Sequence, residues 1–177
     1  MSALPRGRAD QRSRLAPRVT LRVRVAQQTG ESAAADRVFV RRLGRRCAMS
    51  SVGALRRASE PAVRAAFDRL CDIVDDQSHV TLIAQRAQRR VGFLLLLDTL
   101  PDEVTALPQG FVAYMAVEPD SRGAGVGAAL LAAAEDEARR RGLPYMALMV
   151  TEDNAEARRL YDRGGYHTER RLLCKPL

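Results

Sequence analysis

The stretch that most constrains this chain is "FVAYMAVEPDSRGAGVGAALLAAAEDEARRRG", Phe111 to Gly142. It places a short apolar strand, a glycine-rich loop and an amphipathic helix in direct succession. The helix is predicted over 126–141. Glu135 and Arg139, Asp136 and Arg140, and Glu137 and Arg141 stand at i,i+4 with the acid first, and Gly142 supplies a natural stop. At the start of such a helix the backbone N–H groups lack intrahelical partners, and the helix dipole adds partial positive charge. Gly123, Gly125 and Gly127 let the backbone turn sharply and approach a ligand with no Cβ in the way, and Arg122 adds a full charge. The unit reads as a cradle for a phosphate or pyrophosphate.

Several nucleotide sites share that description. A P-loop is excluded, because the loop has no Gly-Lys-Ser/Thr and Lys175 is the only lysine of the chain. A dinucleotide fingerprint is formally satisfied by Gly123, Gly125 and Ala128, with Glu152 downstream for a ribose. That fingerprint should follow its strand at once and open a repeated parallel sheet. Here "EPDSR" intervenes and hairpin strands come first. A glycine-rich turn with no ligand is the bland alternative.

Upstream, "RVTLRVRVAQ" alternates, with Val19, Leu21, Val23 and Val25 on one face and Arg22 and Arg24 on the other, as in a half-buried first strand. A helix is predicted over 32–43. "GRRCAMSSVGALRRAS" reads as a short helix or a loop. Ser59 before Glu60 and Pro61 is a helix start, and Val63, Phe67, Leu70 and Val74 carry the helical period to Asp76. "HVTLIAQR" and "RVGFLLLL" are strands joined near Gln88, the second apolar on both faces and therefore central. A loop holding Asp98, Asp102 and Glu103 leads into the Phe111 strand. After the long helix, "LPYMALMV" is a strand, "NAEARRLYDRG" a short helix, and "YHTERRLLCKPL" the closing strand or strands. The order is β-α-α-β-β-β-α-β-α-β, an α/β fold in one domain over 18–177. An Arg-rich arm, 1–17, precedes it and is expected to be disordered.

The glycine loop has a closer parallel. Arg122-x-x-Gly125-x-Gly127 after a strand ending in "VEP" resembles the acetyl-CoA signature of the GNAT superfamily of N-acetyltransferases. "TEDNAEARRLYDRGGY" is similar to the superfamily's second signature, with Asn154, Ala157, Leu160, Tyr161, Gly165 and Tyr166 in the matching places. The pair, in this order and on these elements, is far more specific than either alone. The resemblance implies a GNAT-type mixed, mostly antiparallel central sheet flanked by helices. It implies direct transfer of an acetyl group from acetyl-CoA to a primary amine of a small molecule, peptide or protein, without a metal.

The same resemblance implies roles. Backbone groups of Met115, Ala116 and Val117 would hold the pantetheine arm, and the Val117 amide would donate to the oxyanion. Amides of Arg122, Gly123, Ala124, Gly125, Val126 and Gly127 would hold the pyrophosphate. Asn154 would contact the cofactor arm, and Tyr161 would stand near the sulfur as general acid. The base is left open among Glu118, Glu152, Asp98, Glu103, a water relay and an amine arriving neutral, because geometry decides such a role. The stretch after Tyr166 is shorter than the superfamily's last hairpin. That region usually lines the acceptor site or a dimer contact, so the acceptor and a homodimer are both left open.

Composition narrows the partners. The net charge of +8 favours anionic ligands without choosing among them. The basic arm raises a nucleic-acid reading, but the chain lacks the interleaved aromatics of a single-strand binder. The longest apolar run, Val91–Leu97, is too short to span a bilayer, and Arg stands where a signal peptide needs its apolar stretch. A cytoplasmic protein with no membrane partner is expected. Cys47, Cys71 and Cys174, with His79 and His167, show neither metal-ligand spacing nor a disulfide framework. The rival to an enzyme is a non-catalytic acyl-CoA-binding or interaction module on the same fold. A nucleic-acid-binding protein using the arm ranks below both.

Overall fold

The computed structural model describes residues 20–52 and 54–176, so the arm at 1–17 lies outside the described residues. The elements run β1 (Leu21–Val25), α1 (Gly30–Cys47), α2 (Glu60–Asp75), β2 (His79–Arg86), β3 (Arg89–Leu97), β4 (Gly110–Val117), α3 (Val126–Arg140), β5 (Met146–Leu148) and α4 (Ala155–Arg163). Short 3-10 turns at Ala48–Ser51 and Ala54–Arg56 link α1 to α2. The strands lie side by side in chain order. The first four are antiparallel neighbours, and β5 joins β4 in parallel across the α3 crossover. This is the mixed, mostly antiparallel sheet expected from the sequence.

β3 is central and buried on both faces. Phe93, Leu95 and Leu97 pack toward α1 and α2, while Leu94 and Leu96 pack toward α3. The pairing with β2 slips between Ala84 and Gln85, leaving Val91 unpaired, and this bulge turns Val91 to the α3 side as well. A second slip, in the pairing of β3 with β4, leaves Ala113 as the extra residue. Ala113 and Tyr114 consequently both face α1 and α2, while Met115 and Val117 face α3.

α1 is longer than the period of its sequence suggests, continuing through Gly44 to Cys47. Gly44 is no stop. A Cβ at that position would lie inside the Phe67 ring of α2, so glycine is what allows the two helices to meet. The cap of α2 is as expected, Ser59 Oγ accepting from Ala62 N at 3.4 Å.

Two expectations are corrected. Arg24 does not lie on a solvated strand face. It reaches under α1 to Asp36, which is 2% exposed, with both guanidinium–carboxylate contacts at 2.8 Å, and Arg90 joins from β3 at 2.7 Å. The apolar face of β1 is also incomplete, since Val25 is 47% exposed. The closing strand is absent among the described residues, and 167–176 run without regular pairing. The tail is drawn elsewhere: Arg170 pairs with Asp102 at 2.7 Å and Glu103 at 3.0 Å, and Arg56 donates to Cys174 Sγ at 3.1 Å. Leu172 and Leu173 are adjacent and exposed, without the alternation that would bury one face.

Candidate active site

The site begins with a gap in the sheet. β4 and β5 pair only from Gly110↔Met146 to Val112↔Leu148. β5 ends there, while β4 continues to Val117. The last residues of β4 therefore have β3 on one side and no strand on the other. Glu118 N donates to Val91 O at 2.9 Å, so Glu118 faces β3. Backbone groups alternate along a strand, which turns Ala116 toward β3 as well and turns Met115 and Val117 into the gap. Of the residues expected to hold a pantetheine arm, Met115 and Val117 present polar backbone there. Ala116 does not, because its N–H and C=O are used in the sheet.

The glycine loop closes one end of the gap. Its internal hydrogen bonds run from Ser121 N to Glu118 O and from Arg122 N to Pro119 O, and resume with Ala129 N to Gly125 O. Between them lie Gly123 (φ 68°) and Gly125 (φ 80°), both left-handed, the second capping α3. That conformation strongly favours glycine. Gly123, Ala124 and Gly125 are exposed, while Val126 is buried and anchors the helix. The amides that open α3 have no carbonyl one turn back and face an accessible surface. Gly127 packs closely under α4: a Cβ there would stand 2.9 Å from Leu160 Cδ2, so that side chain would have to shift.

The remaining candidates are distributed as follows. Asn154 caps α4, its Oδ1 accepting from Ala157 N at 3.2 Å, and its Nδ2 donates to Ser50 O at 3.3 Å. It thereby ties the Ala48–Ser51 turn to α4 across the gap. Tyr161 stands on the inner face of α4, half-buried, edge-on to Tyr166 at 5.9 Å. Burial raises its pKa, so the phenol keeps its proton at neutral pH. Tyr114 lies under the gap, stacked on Phe93 at 6.0 Å and beside Phe67 at 4.8 Å, with its pKa pushed up to about 12 by burial.

The four carboxylates weighed as bases are each held in ion pairs. Glu118 takes Arg42 at 2.7 Å and Arg46 at 3.1 Å, which fastens α1 to the end of β4. Glu152 pairs with Arg158 at 2.8 Å, Asp98 with Arg141, and Glu103 with Arg170. Asp102, in the same loop as Glu103, is held at a pKa of about 2, first by the Thr105 N–H and then by its hydroxyl. Each carboxylate of the acidic loop thus meets an arginine of its own chain, while Asp98 Oδ1 is buried without a hydrogen-bond partner among the described residues.

Sequence reasoning missed the neighbours of the glycine loop. The β2–β3 hairpin lies against it, with Arg89 on Asp120 at 2.9 Å and Arg86 on Ala124 O at 3.2 Å. Its tip, Ala87 (φ 46°) and Gln88 (φ 64°), is left-handed without a glycine. No local pattern foretells that contact, which depends on how β2, β3 and β4 align.

A mixed five-stranded sheet opened beside β4, with a glycine-capped helix at the end of the opening, defines the class of this domain. The chain matches the acetyltransferase (GNAT) family over residues 51–166, and it belongs to that family. It is 38% identical over 84 residues to a mycothiol acetyltransferase of Thermobispora bispora, a match covering 48% of this chain and 28% of that protein. It is 30% identical over 96 residues to the uncharacterized N-acetyltransferase YhfO of Bacillus subtilis, covering 54% of this chain and 64% of that protein. The chain thus spans less than a third of the mycothiol acetyltransferases it matches. Among solved structures, a putative acetyl transferase from Pyrococcus furiosus superposes with a TM-score of 0.72 at 22% identity, over 89% of this chain and 100% of that one. The aminoglycoside N-acetyltransferase AAC(6')-Iy in complex with CoA superposes with a TM-score of 0.63 at 17% identity, over 92% and 99%. These structural likenesses establish the fold.

Proposed function

We propose that this chain is an acetyl-CoA-dependent N-acetyltransferase that passes the acetyl group directly to a primary amine. The observation that carries the reading is the gap beside β4, into which Met115 and Val117 turn their backbone groups, ending at the exposed turn Gly123–Gly125 that opens α3. Acetyl-CoA, when bound, supplies an activated thioester. The Met115 backbone would pair with the amide-bearing arm as a neighbouring strand does, beside Val117, whose C=O accepts from Arg122 Nε. The Val117 N–H would donate to the oxygen that gains charge during transfer. Amides 123–127 would hold the pyrophosphate at the positive end of α3, the Arg122 amide being bonded to Pro119 O. Asn154, already capping α4, would border the arm from the opposite wall. Tyr161 would give its proton to the departing sulfur, a role open to a phenol that holds its proton at neutral pH. With Glu118, Glu152, Asp98 and Glu103 all ion-paired, we assign the loss of the amine's proton to water or to an acceptor that arrives neutral.

Two measurements test the reading. Acetyl-CoA at a hundred times its Kd should raise Tm by about 5–10 °C, from about 2.7 kcal/mol of linkage in a chain of this size. Release of free CoA should then depend on an amine, screened over small amines, peptides and aminoglycosides. Thermal stabilisation with no turnover across the panel would favour the non-catalytic module. No stabilisation at all would sink the cofactor assignment.

A further inference from the structure

The arginine of the loop motif does not face the loop. Arg122 folds back, with Nε 3.4 Å from Val117 O and Nη2 3.6 Å from Cys47 Sγ. The guanidinium that reaches the glycine loop comes from the β2–β3 hairpin. Arg86 ends β2, and its Nη2 donates to Ala124 O at 3.2 Å, in the middle of the loop. Its Nε is buried with no hydrogen-bond partner. Among the described residues no carboxylate pairs with Arg86, whereas its hairpin neighbour Arg89 is neutralised by Asp120 at 2.9 Å. So Arg86 spends one donor on the protein, keeps a dry donor unpaired, and retains its full charge beside the cradle.

We infer that Arg86 is a phosphate-binding residue of the acetyl-CoA site, a guanidinium lent by the β2–β3 hairpin to the pyrophosphate at Gly123–Gly127. The inference rests on the acetyl-CoA reading. Its physical content is twofold. The bond to Ala124 O holds that carbonyl toward the hairpin, which leaves the neighbouring amides facing outward. The Nη N–H groups not bonded to Ala124 O, on the end of the guanidinium that reaches the loop, add with the charge the strong, charge-assisted bonds that a pyrophosphate diester takes from arginine. The left-handed tip at Ala87 and Gln88 brings Arg86 and Arg89 to the same side of the loop.

The test is isothermal titration of the full chain and of Arg86→Ala and Arg86→Lys with CoA and 3′-dephospho-CoA, with pantetheine as a phosphate-free competitor. Arg86→Ala should weaken CoA and 3′-dephospho-CoA alike, by about tenfold to a hundredfold, the loss of one charged hydrogen-bonding group. Pantetheine affinity should stay unchanged, and Arg86→Lys should recover part of the loss. If Arg86→Ala does not fold, Arg86→Gln keeps a donor for Ala124 O without the charge and should show the same two losses. The inference is overturned if the variant binds CoA within about twofold of the wild type. It is also overturned if only CoA and not its dephospho form is affected, or if pantetheine falls equally. In those cases tight wild-type binding still upholds the acetyl-CoA reading, whereas a wild type that binds no CoA removes both.

Discussion

Gly92 lies in β3 directly opposite Val117, in the stretch where β4 keeps β3 on one side and has no strand on the other. A Cβ added there would meet Ala116 O at 3.0 Å, Val126 Cγ1 at 3.1 Å and Leu130 Cδ1 at 3.2 Å. Ordinary contacts begin near 3.4 Å, so β4 and the first turn of α3 must both give by a few tenths of an ångström. Neither has room to do so, since Val126 is 1% and Leu130 0% exposed and the third contact is backbone. Two effects compete in Gly92→Ala. Restricting the unfolded chain favours the variant by about 0.5–1 kcal/mol, while overpacking a full core costs about 1–3 kcal/mol. Overpacking wins, by about 1–2 kcal/mol, which lowers Tm by about 2–8 °C in a chain of this size. The displaced atoms carry the Val117 amide and the helix start, so KM for acetyl-CoA should rise several-fold in the same variant. Thermal melts and steady-state kinetics read both effects. A double-mutant cycle with Leu130→Ala tests the cause, because the new methyl then enters vacated space and the two costs fall short of their sum by about 1 kcal/mol. A Gly92→Ala variant as stable as the wild type, or costs that simply add, would refute the reasoning.

The remaining predictions concern the buried ion cluster and the proposed acid. Burial alone would raise the pKa of Asp36, but Arg24 and Arg90 outweigh it and leave the group below its ordinary value. A lowered carboxylate stabilises the fold above its unfolded pKa and loses that contribution as pH falls through the folded one. Asp36→Asn should therefore cost about 2–3 kcal/mol near pH 7, and the Tm gap from wild type should narrow as pH falls below the ordinary carboxylate value of about 4. A gap independent of pH, read by calorimetry from pH 2.5 to 7, would show that the cluster contributes no ionic stabilisation. Tyr161→Phe should lower kcat by about a hundredfold or more while KM for acetyl-CoA changes little, since only a proton is removed. Equal kcat in the two proteins would exclude Tyr161 as the acid.

Much of the fold was legible because its signals are local. The cap at Ser59, the period of Val63, Phe67 and Val74, and the two-sided apolar run of β3 each follow from neighbours in sequence. The positions of Gly123 and Gly125 were equally legible, since a left-handed φ before a helix favours that residue type. What could not be read were matters of register. The bulge at Ala113 sets which residues face α1 and α2. The alternation that follows it turns Val117 into the gap and Ala116 out of it. Gly44 looked like a helix end because its reason for being glycine, the Phe67 ring, lies in another helix. The closing strand was expected over "YHTERRLLCKPL", yet pairing needs an edge long enough to hold it, and β5 has three residues.

The sequence by itself determined the kind of molecule: a strand, a glycine loop and a helix in succession, followed by a capped helix carrying Leu160 and Tyr161. Those features are contiguous, and their physics is that of free amides and backbone freedom. Only the tertiary structure decided which charges stand where. It took Arg122 away from the loop it heads, put Arg86 in its place from a hairpin far away in sequence, and tied up every carboxylate weighed as a base. Side-chain charges reach several ångströms from their own backbone, so their partners are chosen by packing between elements, which no local pattern records.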